Sequence, residues 1–137
     1  MARIGRRQRT TKETDISVAV DLDRTEVTGV SASTGIPFFD HMLDQLGRHG
    51  GMGLEVSCRG DLEIDGHHTV EDVGIAIGEA FAEALGDKAG VRRFASMRVP
   101  LDEALVDVAL DLSGRPYLHH EVEFPGQKIL GDPPFDP

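Results

Sequence analysis

The sequence of 137 residues has little cysteine, few basic residues and no long apolar run, and each shortage narrows what the chain can be. Cys58 is the only cysteine, which excludes an intrachain disulfide and a thiolate metal cluster. Lysines and arginines number 14 against 24 aspartates and glutamates, and the net charge of −10 argues against nucleic acid as the main partner. No signal peptide or apolar stretch of membrane length is present, so we expect a cytoplasmic protein without a membrane partner.

The remaining composition is that of a globular chain, with 39% hydrophobic and 28% charged residues. The length fits one domain with room for a core. Basic residues cluster near the N-terminus, and we interpret them as a solvated edge strand or arm. They are Arg3, Arg6, Arg7, Arg9 and Lys12.

The most informative segment is residues 65–72, which read Asp-Gly-His67-His68-Thr-Val-Glu71-Asp before an amphipathic helix pattern. Imidazole and carboxylate without thiolate suit manganese, iron or zinc. In a first helical turn, Glu71 would share a face with both histidines, whereas the histidines would diverge by about 100°. That geometry favours two ions, or one ion and one substrate contact. The alternative is a hydrophilic helix start with an acidic cap.

The start of this helix has two possible caps. Asp65 is one candidate, and Thr69 with Asp72 as a capping box is the other. If Thr69 were the cap, both histidines would lie on the preceding loop.

An earlier helix is predicted from Phe38 to His49, after Pro37 and before two glycines. His41, Gln45 and His49 recur every four residues and form a polar stripe beside its apolar face. Such a half-buried stripe suits ligand groups, and the alternative is three amphipathic border residues.

Alternating apolar residues predict strands in the rest of the chain. These are 15–22, 26–30 as its hairpin partner, one or two strands within 54–64, 105–112 and 117–124. The helix after the histidine pair should end at Gly86. Two short collinear echoes, 18–23 with 108–113 and 37–40 with 134–137, indicate a duplicated unit.

Several motifs in order resemble the imidazoleglycerol-phosphate dehydratase family over essentially the whole chain. They are Thr11-Lys-Glu13-Thr, Gly35-Ile-Pro-Phe-Phe-Asp-His41-Met-Leu-Asp-Gln45-Leu, Asp65-Gly-His-His-Thr-Val-Glu71-Asp, Gly90-Val-Arg-Arg93-Phe, Pro100-Leu-Asp102-Glu-Ala-Leu and Asp111-Leu-Ser-Gly-Arg115-Pro-Tyr.

The resemblance implies an α+β fold, a duplicated unit of a four-stranded sheet backed by two helices, as in ribosomal protein S5 domain 2. Residues 1–90 would form the first unit, and residues 91–137 the strands of an incomplete second unit. It also implies two Mn(II) ions per complete site, shared between subunits of a large homo-oligomer, a 24-mer in the family. The substrate would be a small phosphorylated imidazole, dehydrated by a carbon–oxygen lyase of histidine biosynthesis.

The resemblance also assigns roles by position. The metal ligands would be His41, His67, His68 and Glu71. Glu13 would be the catalytic acid/base, with Asp102 as a carboxylate that supports the site. The substrate would contact Gln45 and His49, and its phosphate would contact Arg93 and Arg115, whose guanidinium groups match phosphate geometry.

The chain departs from the family because a second His-His-x-x-Glu cluster, an upstream histidine and a serine/lysine phosphate contact are missing. His119 and His120 precede Glu123 at the right spacing, but their strand pattern favours a structural role. We therefore expect an N-terminal fragment with little or no dehydratase activity by itself. Two other functions stay open, namely another metal-dependent enzyme such as a hydrolase, and a non-catalytic metal-binding or assembly module.

Overall fold

The computed structural model describes residues 2–24 and 29–123, which divide into two units, up to Asp87 and from Lys88 onward. The first unit holds a four-stranded sheet and two helices, and the second holds a two-stranded sheet. The predicted α+β class is therefore confirmed. The elements are β1 (Ile4–Thr10), β2 (Thr14–Asp21), β3 (Val30–Ser33), α1 (Pro37–Gly50), β4 (Gly53–Gly60), α2 (His67–Leu85), β5 (Phe94–Leu101) and β6 (Ala104–Asp111).

The core of the first unit lies between one face of the sheet and the two helices. The strand order is β1-β2-β4-β3, in which β2 is antiparallel to β1 and to β4, and β3 is parallel to β4. Alternate residues of β2 pair with alternate residues of β4, so their apolar side chains share one face. This face meets Leu43 of α1 and four small residues of α2. The core strand residues are Ile16, Val18, Val20, Leu54, Val56 and Cys58.

β1 is an edge strand, as its basic composition indicated, and its arginines form ion pairs with neighbouring elements. Arg7 contacts Glu79 and Glu83 of α2 at 3.2 and 3.5 Å. A Cβ at Gly5 would overlap the carbonyl oxygen of Ala80, so β1 and α2 approach as closely as glycine permits. This close contact fixes where α2 crosses the sheet.

Both helices end where the sequence predicted. α1 has Pro37 at its first turn and stops at Gly51, whose φ of 63° is left-handed. α2 stops at Gly86, with φ of 54°. No helix within the described ranges has the length and apolarity needed to cross a membrane.

Three strand predictions have different outcomes: one lies mostly outside the described residues, one is confirmed in part, and one is wrong. The hairpin partner expected at 26–30 lies mostly outside the described residues, because 25–28 are not described. β3 begins at Val30 and pairs with β4, and the described neighbours of β2 are β1 and β4. The 54–64 segment forms one strand that ends at Gly60, and a turn follows it. Residues 117–123 form no strand; Phe124 and the 134–137 echo lie outside the described residues.

The second unit is a hairpin with two unlike faces. The register pairs Met97 with Val108 and Val99 with Val106, so one face carries only apolar side chains. The other face carries the ion pair between Arg98 and Asp107 at 2.6 Å. Every residue of both strands is exposed in this structure.

Candidate functional site

The start of α2 places both histidines in its first turn. The helix begins at His67, and Gly66 is the N-cap residue. The Asp65 carboxylate accepts the backbone N–H of His67 at 2.8 Å. Neither Asp65 nor Thr69 is therefore the N-cap residue, although Asp65 satisfies one of the free N–H groups at this helix end.

The two histidines point to different partners, as the helical period predicted. His67 Nε2 lies 3.0 Å from Glu71 Oε2, one helical turn later. His68 Nδ1 lies 2.9 Å from Oδ2 of Asp61, in the turn after β4. The ring centroids are 5.7 Å apart and the ring planes differ by 75°. The structure therefore brings His67, His68 and Glu71 to one helix start without aiming them at one point.

The surroundings of His68 are strongly acidic. The hydrogen bond to Asp61 raises the pKa of His68, partial burial opposes this, and the charges of Asp61, Glu13 and Asp65 raise it further. The effect of Glu13 is one of the smaller ones. Glu13 itself is exposed and lies in the turn between β1 and β2.

A buried carboxylate holds the Glu13 turn against α2. Asp72 accepts the Thr14 hydroxyl at 2.6 Å, the Arg9 guanidinium at 2.9 and 3.1 Å, and the Thr11 hydroxyl at 3.4 Å. These donors, the Thr14 hydroxyl foremost, keep the pKa of Asp72 below its usual range. The Thr11 hydroxyl also accepts the backbone N–H of Glu13 at 3.2 Å. The network therefore ties the Glu13 turn to the helix that carries Glu71.

The polar stripe on α1 was expected to be half-buried, but only Gln45 is, whereas His41 and His49 are exposed. Gln45 Oε1 and His49 Nε2 are 2.9 Å apart, and the Gln45 amide also donates to Asp44 at 3.1 Å. His41 is exposed near the start of the same helix. Across residues 2–24 and 29–123, no three histidine, cysteine, aspartate or glutamate side chains lie close enough to hold one ion.

In the second unit, both predicted phosphate-binding arginines lie near Asp111. Arg93 donates to both Asp111 oxygens at 2.7 and 3.1 Å and stacks on the Phe94 ring at 4.7 Å. The charge of Arg115 also lowers the pKa of Asp111, after the larger effect of Arg93. Asp102 lies in the hairpin turn with φ of 49°. β5 runs from Phe94 to Leu101, and its seven steps of about 3.3 Å span roughly 23 Å. Arg93 precedes one end of this strand and Asp102 follows the other, so the two residues lie at opposite ends of the hairpin.

The donor chemistry at the start of α2 fits a divalent ion. Asp61 is bonded to His68 Nδ1, which leaves Nε2 available as a ligand. His67 Nε2 and Glu71 Oε2, 3.0 Å apart, are both atom types that bind divalent ions. These donors would supply part of a coordination shell and would need further ligands.

Two contributors were not assigned from the sequence. Asp61 precedes His68 by seven residues, and no sequence spacing links a turn carboxylate to a helix start. Asp72 was considered only as part of a capping box, and its burial depends on β1 packing over α2. The sequence signal that could have identified Asp72 is its position directly after Glu71, the last residue of the predicted metal-ligand cluster.

The fold and this site together define an α+β protein with imidazole and carboxylate groups gathered at a helix start. The family model for imidazoleglycerol-phosphate dehydratase matches residues 34–134. The chain belongs to the imidazoleglycerol-phosphate dehydratase family.

Similar proteins bear the same name. The chain is 62% identical over 120 residues to "Imidazoleglycerol-phosphate dehydratase" of Frankia casuarinae, covering 88% of this chain and 60% of the relative. It is 60% identical over 127 residues to the protein of that name from Parafrankia, covering 92% and 64%. The chain thus spans about three fifths of the length of these curated relatives.

Solved structures agree with the fold. The dehydratase from Staphylococcus aureus superposes with a TM-score of 0.79 at 33% identity, covering 93% of this chain and 68% of that one. IGPD from Pyrococcus furiosus, in complex with (S)-C348, superposes with a TM-score of 0.71 at 36% identity, covering 85% and 60%.

Proposed function

We propose that this chain, with the further residues that its curated relatives contain, dehydrates D-erythro-imidazoleglycerol phosphate to imidazoleacetol phosphate in histidine biosynthesis. The family match over residues 34–134 carries the proposal, because that range includes His41 and the His67–Glu71 cluster. The reaction is that of a carbon–oxygen lyase. We place it in the cytoplasm.

The reaction is difficult because the proton to be removed is not next to a carbonyl and hydroxide is a poor leaving group. Bound divalent ions, in our proposal two Mn(II) per complete site, supply Lewis-acid stabilisation. His41, His67, His68 and Glu71 would hold them. Because manganese favours six ligands in octahedral geometry, four side chains do not fill two shells, and the rest must come from outside this chain.

The proton transfers need a positioned acid/base, and we assign that role to Glu13. Its charge already acts on His68, and the Asp72 network holds its turn in place. Gln45 and His49 would contact the substrate from α1.

Arg93 and Arg115 would bind the phosphate, which would compete with Asp111 for the Arg93 guanidinium. We keep Asp102 as a supporting carboxylate. Its position in the hairpin turn, away from Arg93, means that any support reaches a different part of the site.

A non-catalytic assembly role is the second candidate for the chain by itself. The apolar face of the β5–β6 hairpin is exposed, and an exposed contiguous apolar surface favours association. We propose that the chain self-associates, as part of a large homo-oligomer in the complete enzyme.

The test is turnover by two proteins. One is the 137-residue chain with Mn(II), and the other is the same chain fused to the part of the Frankia casuarinae relative outside the match. We expect imidazoleacetol phosphate from the fusion and little or none from the chain by itself. Glu71→Gln in the fusion should abolish turnover, and Glu63→Gln, an exposed glutamate outside the cluster, is the matched control. A folded, manganese-loaded fusion that turns over esters and not imidazoleglycerol phosphate would support the hydrolase alternative instead.

A further inference from the structure

Asp61 stands out as a carboxylate whose hydrogen bonding is directed at a single imidazole. Its side chain is 14% exposed, and its Oδ2 lies 2.9 Å from His68 Nδ1. We propose that Asp61 is a positioning residue, which holds His68 with its proton on Nδ1 and its Nε2 lone pair free to bind a divalent ion. The proposal rests on the proposed function for its consequence and on the structure for its geometry.

The chemistry of the pair selects one tautomer. An ionised carboxylate only accepts hydrogen bonds, so the imidazole atom facing Asp61 must carry a proton. In a neutral ring the other nitrogen then has the free lone pair. Carboxylates that accept a proton from a ligating histidine orient its ring and raise its basicity as a ligand. The 2.9 Å contact between Asp61 and His68 is of this kind.

The other hydrogen-bonding atoms of Asp61 argue against a purely structural role for its carboxylate. Its Oδ1 is buried and accepts no hydrogen bond from the residues the structure describes. Buried carboxylates kept for structural reasons usually have both oxygens satisfied, as in the three-donor network at Asp72. The Asp61 backbone carbonyl accepts the Ile64 N–H at 2.9 Å, which fixes the turn that presents the carboxylate.

The two histidines are treated differently, which provides an internal comparison. His67 uses Nε2 toward Glu71 and is 69% exposed at its side chain, against 43% for His68. Of the two imidazole rings, the Asp61 carboxylate is hydrogen-bonded to that of His68. Loss of the Asp61 carboxylate should therefore change the tautomer of the His68 ring and leave the tautomer of the His67 ring unchanged.

The first experiment reads the tautomers of both histidines by long-range ¹H–¹⁵N NMR on the labelled 137-residue chain at alkaline pH, without metal. We expect His68 to carry its proton on Nδ1 in the wild type and on Nε2, the site favoured in free histidine, in Asp61→Ala. His67 should not change, and Glu63→Ala should resemble the wild type. Asp61→Asn, whose amide can face Nδ1 with its oxygen or its nitrogen, should give a mixture and serves if Asp61→Ala does not fold. A wild-type His68 protonated on Nε2, or a folded Asp61→Ala that keeps the Nδ1 proton, overturns the proposal.

The second experiment measures Mn(II) affinity from the EPR signal of the free ion. Loss of such a partner lowers metal affinity by about 10- to 100-fold, so Asp61→Ala should show that loss and Glu63→Ala should not. Unchanged affinity in a folded Asp61→Ala with a switched tautomer overturns the role toward the metal. A wild-type chain that binds no Mn(II) contradicts the proposed metal site instead, and the tautomer result then decides the role of Asp61.

Discussion

Replacing Asp72 by asparagine tests whether the buried network holds β1 and the Glu13 turn on α2. Asparagine keeps the shape of the side chain and removes its charge. Its oxygen can still accept the Thr14 hydroxyl, but its NH₂ group then faces the Arg9 guanidinium, which also only donates. Both Arg9 hydrogen bonds, at 2.9 and 3.1 Å, are lost.

The expected loss follows from the number and type of these contacts. Hydrogen bonds to charged groups contribute about 1.5–3 kcal/mol each when well buried. The Arg9 side chain is 34% exposed, so its hydrogen bonds contribute less to the free energy of unfolding than buried ones would. The Thr14 hydrogen bond is weakened and not lost. We expect Asp72→Asn to lower the free energy of unfolding by about 2–3 kcal/mol.

Urea unfolding followed by far-ultraviolet circular dichroism measures this change. With a slope of about 1–3 kcal/mol per molar urea, the midpoint should fall by about 0.7–3 M. Arg9→Met should lower the free energy of unfolding by about 1 kcal/mol. The double variant should lose about 1 kcal/mol less than the sum of the two single losses, because both substitutions remove the same contact. An Asp72→Asn midpoint equal to the wild type, or strict additivity with Arg9→Met, would refute the network.

Two further substitutions test the packing of each unit. Gly5→Ala should destabilise the chain by about 1–3 kcal/mol in the same urea assay, because the added methyl overlaps the Ala80 carbonyl. Gly78→Ala, where a Cβ meets open space within a helix, should be stabilising by about 0.5–1 kcal/mol, and equal effects at the two glycines would contradict the packing. Val108→Glu on the apolar hairpin face should reduce self-association in sedimentation velocity, whereas Ala109→Glu on the opposite face should not. If self-association were reduced in both variants, or in neither, the apolar hairpin face would not be the surface through which copies of the chain associate.

Local signals predicted much of the first unit. Helix periodicity and the glycines after each helix predicted both ends of α1 to within about one residue and the end of α2, because these patterns depend on near neighbours along the chain. The start of α2 was left open between two caps, and the structure has neither as the N-cap residue. Alternation in β2 and β6 predicted their buried or apolar faces for the same reason. The family motifs added the architecture that periodicity does not supply.

Long-range packing decided what local patterns could not. β3 pairs in parallel with β4 across an intervening helix, and a hairpin was the local expectation. Leu62 and Ile64 alternate as in a strand, yet β4 ends at Gly60, where a Cβ would overlap Thr69 of α2. In the site, the His67–Glu71 pair follows from helical spacing, whereas the His68–Asp61 contact depends on how the turn after β4 meets α2.

The most direct test of the account is to locate manganese by anomalous diffraction from crystals of the fused enzyme described above. We predict an anomalous peak in bonding contact with His68 Nε2 and a second ion bound by His67 or Glu71. Anomalous peaks remote from the start of α2, in crystals where His68 still faces Asp61, would contradict the assignment of this helix start as a metal site.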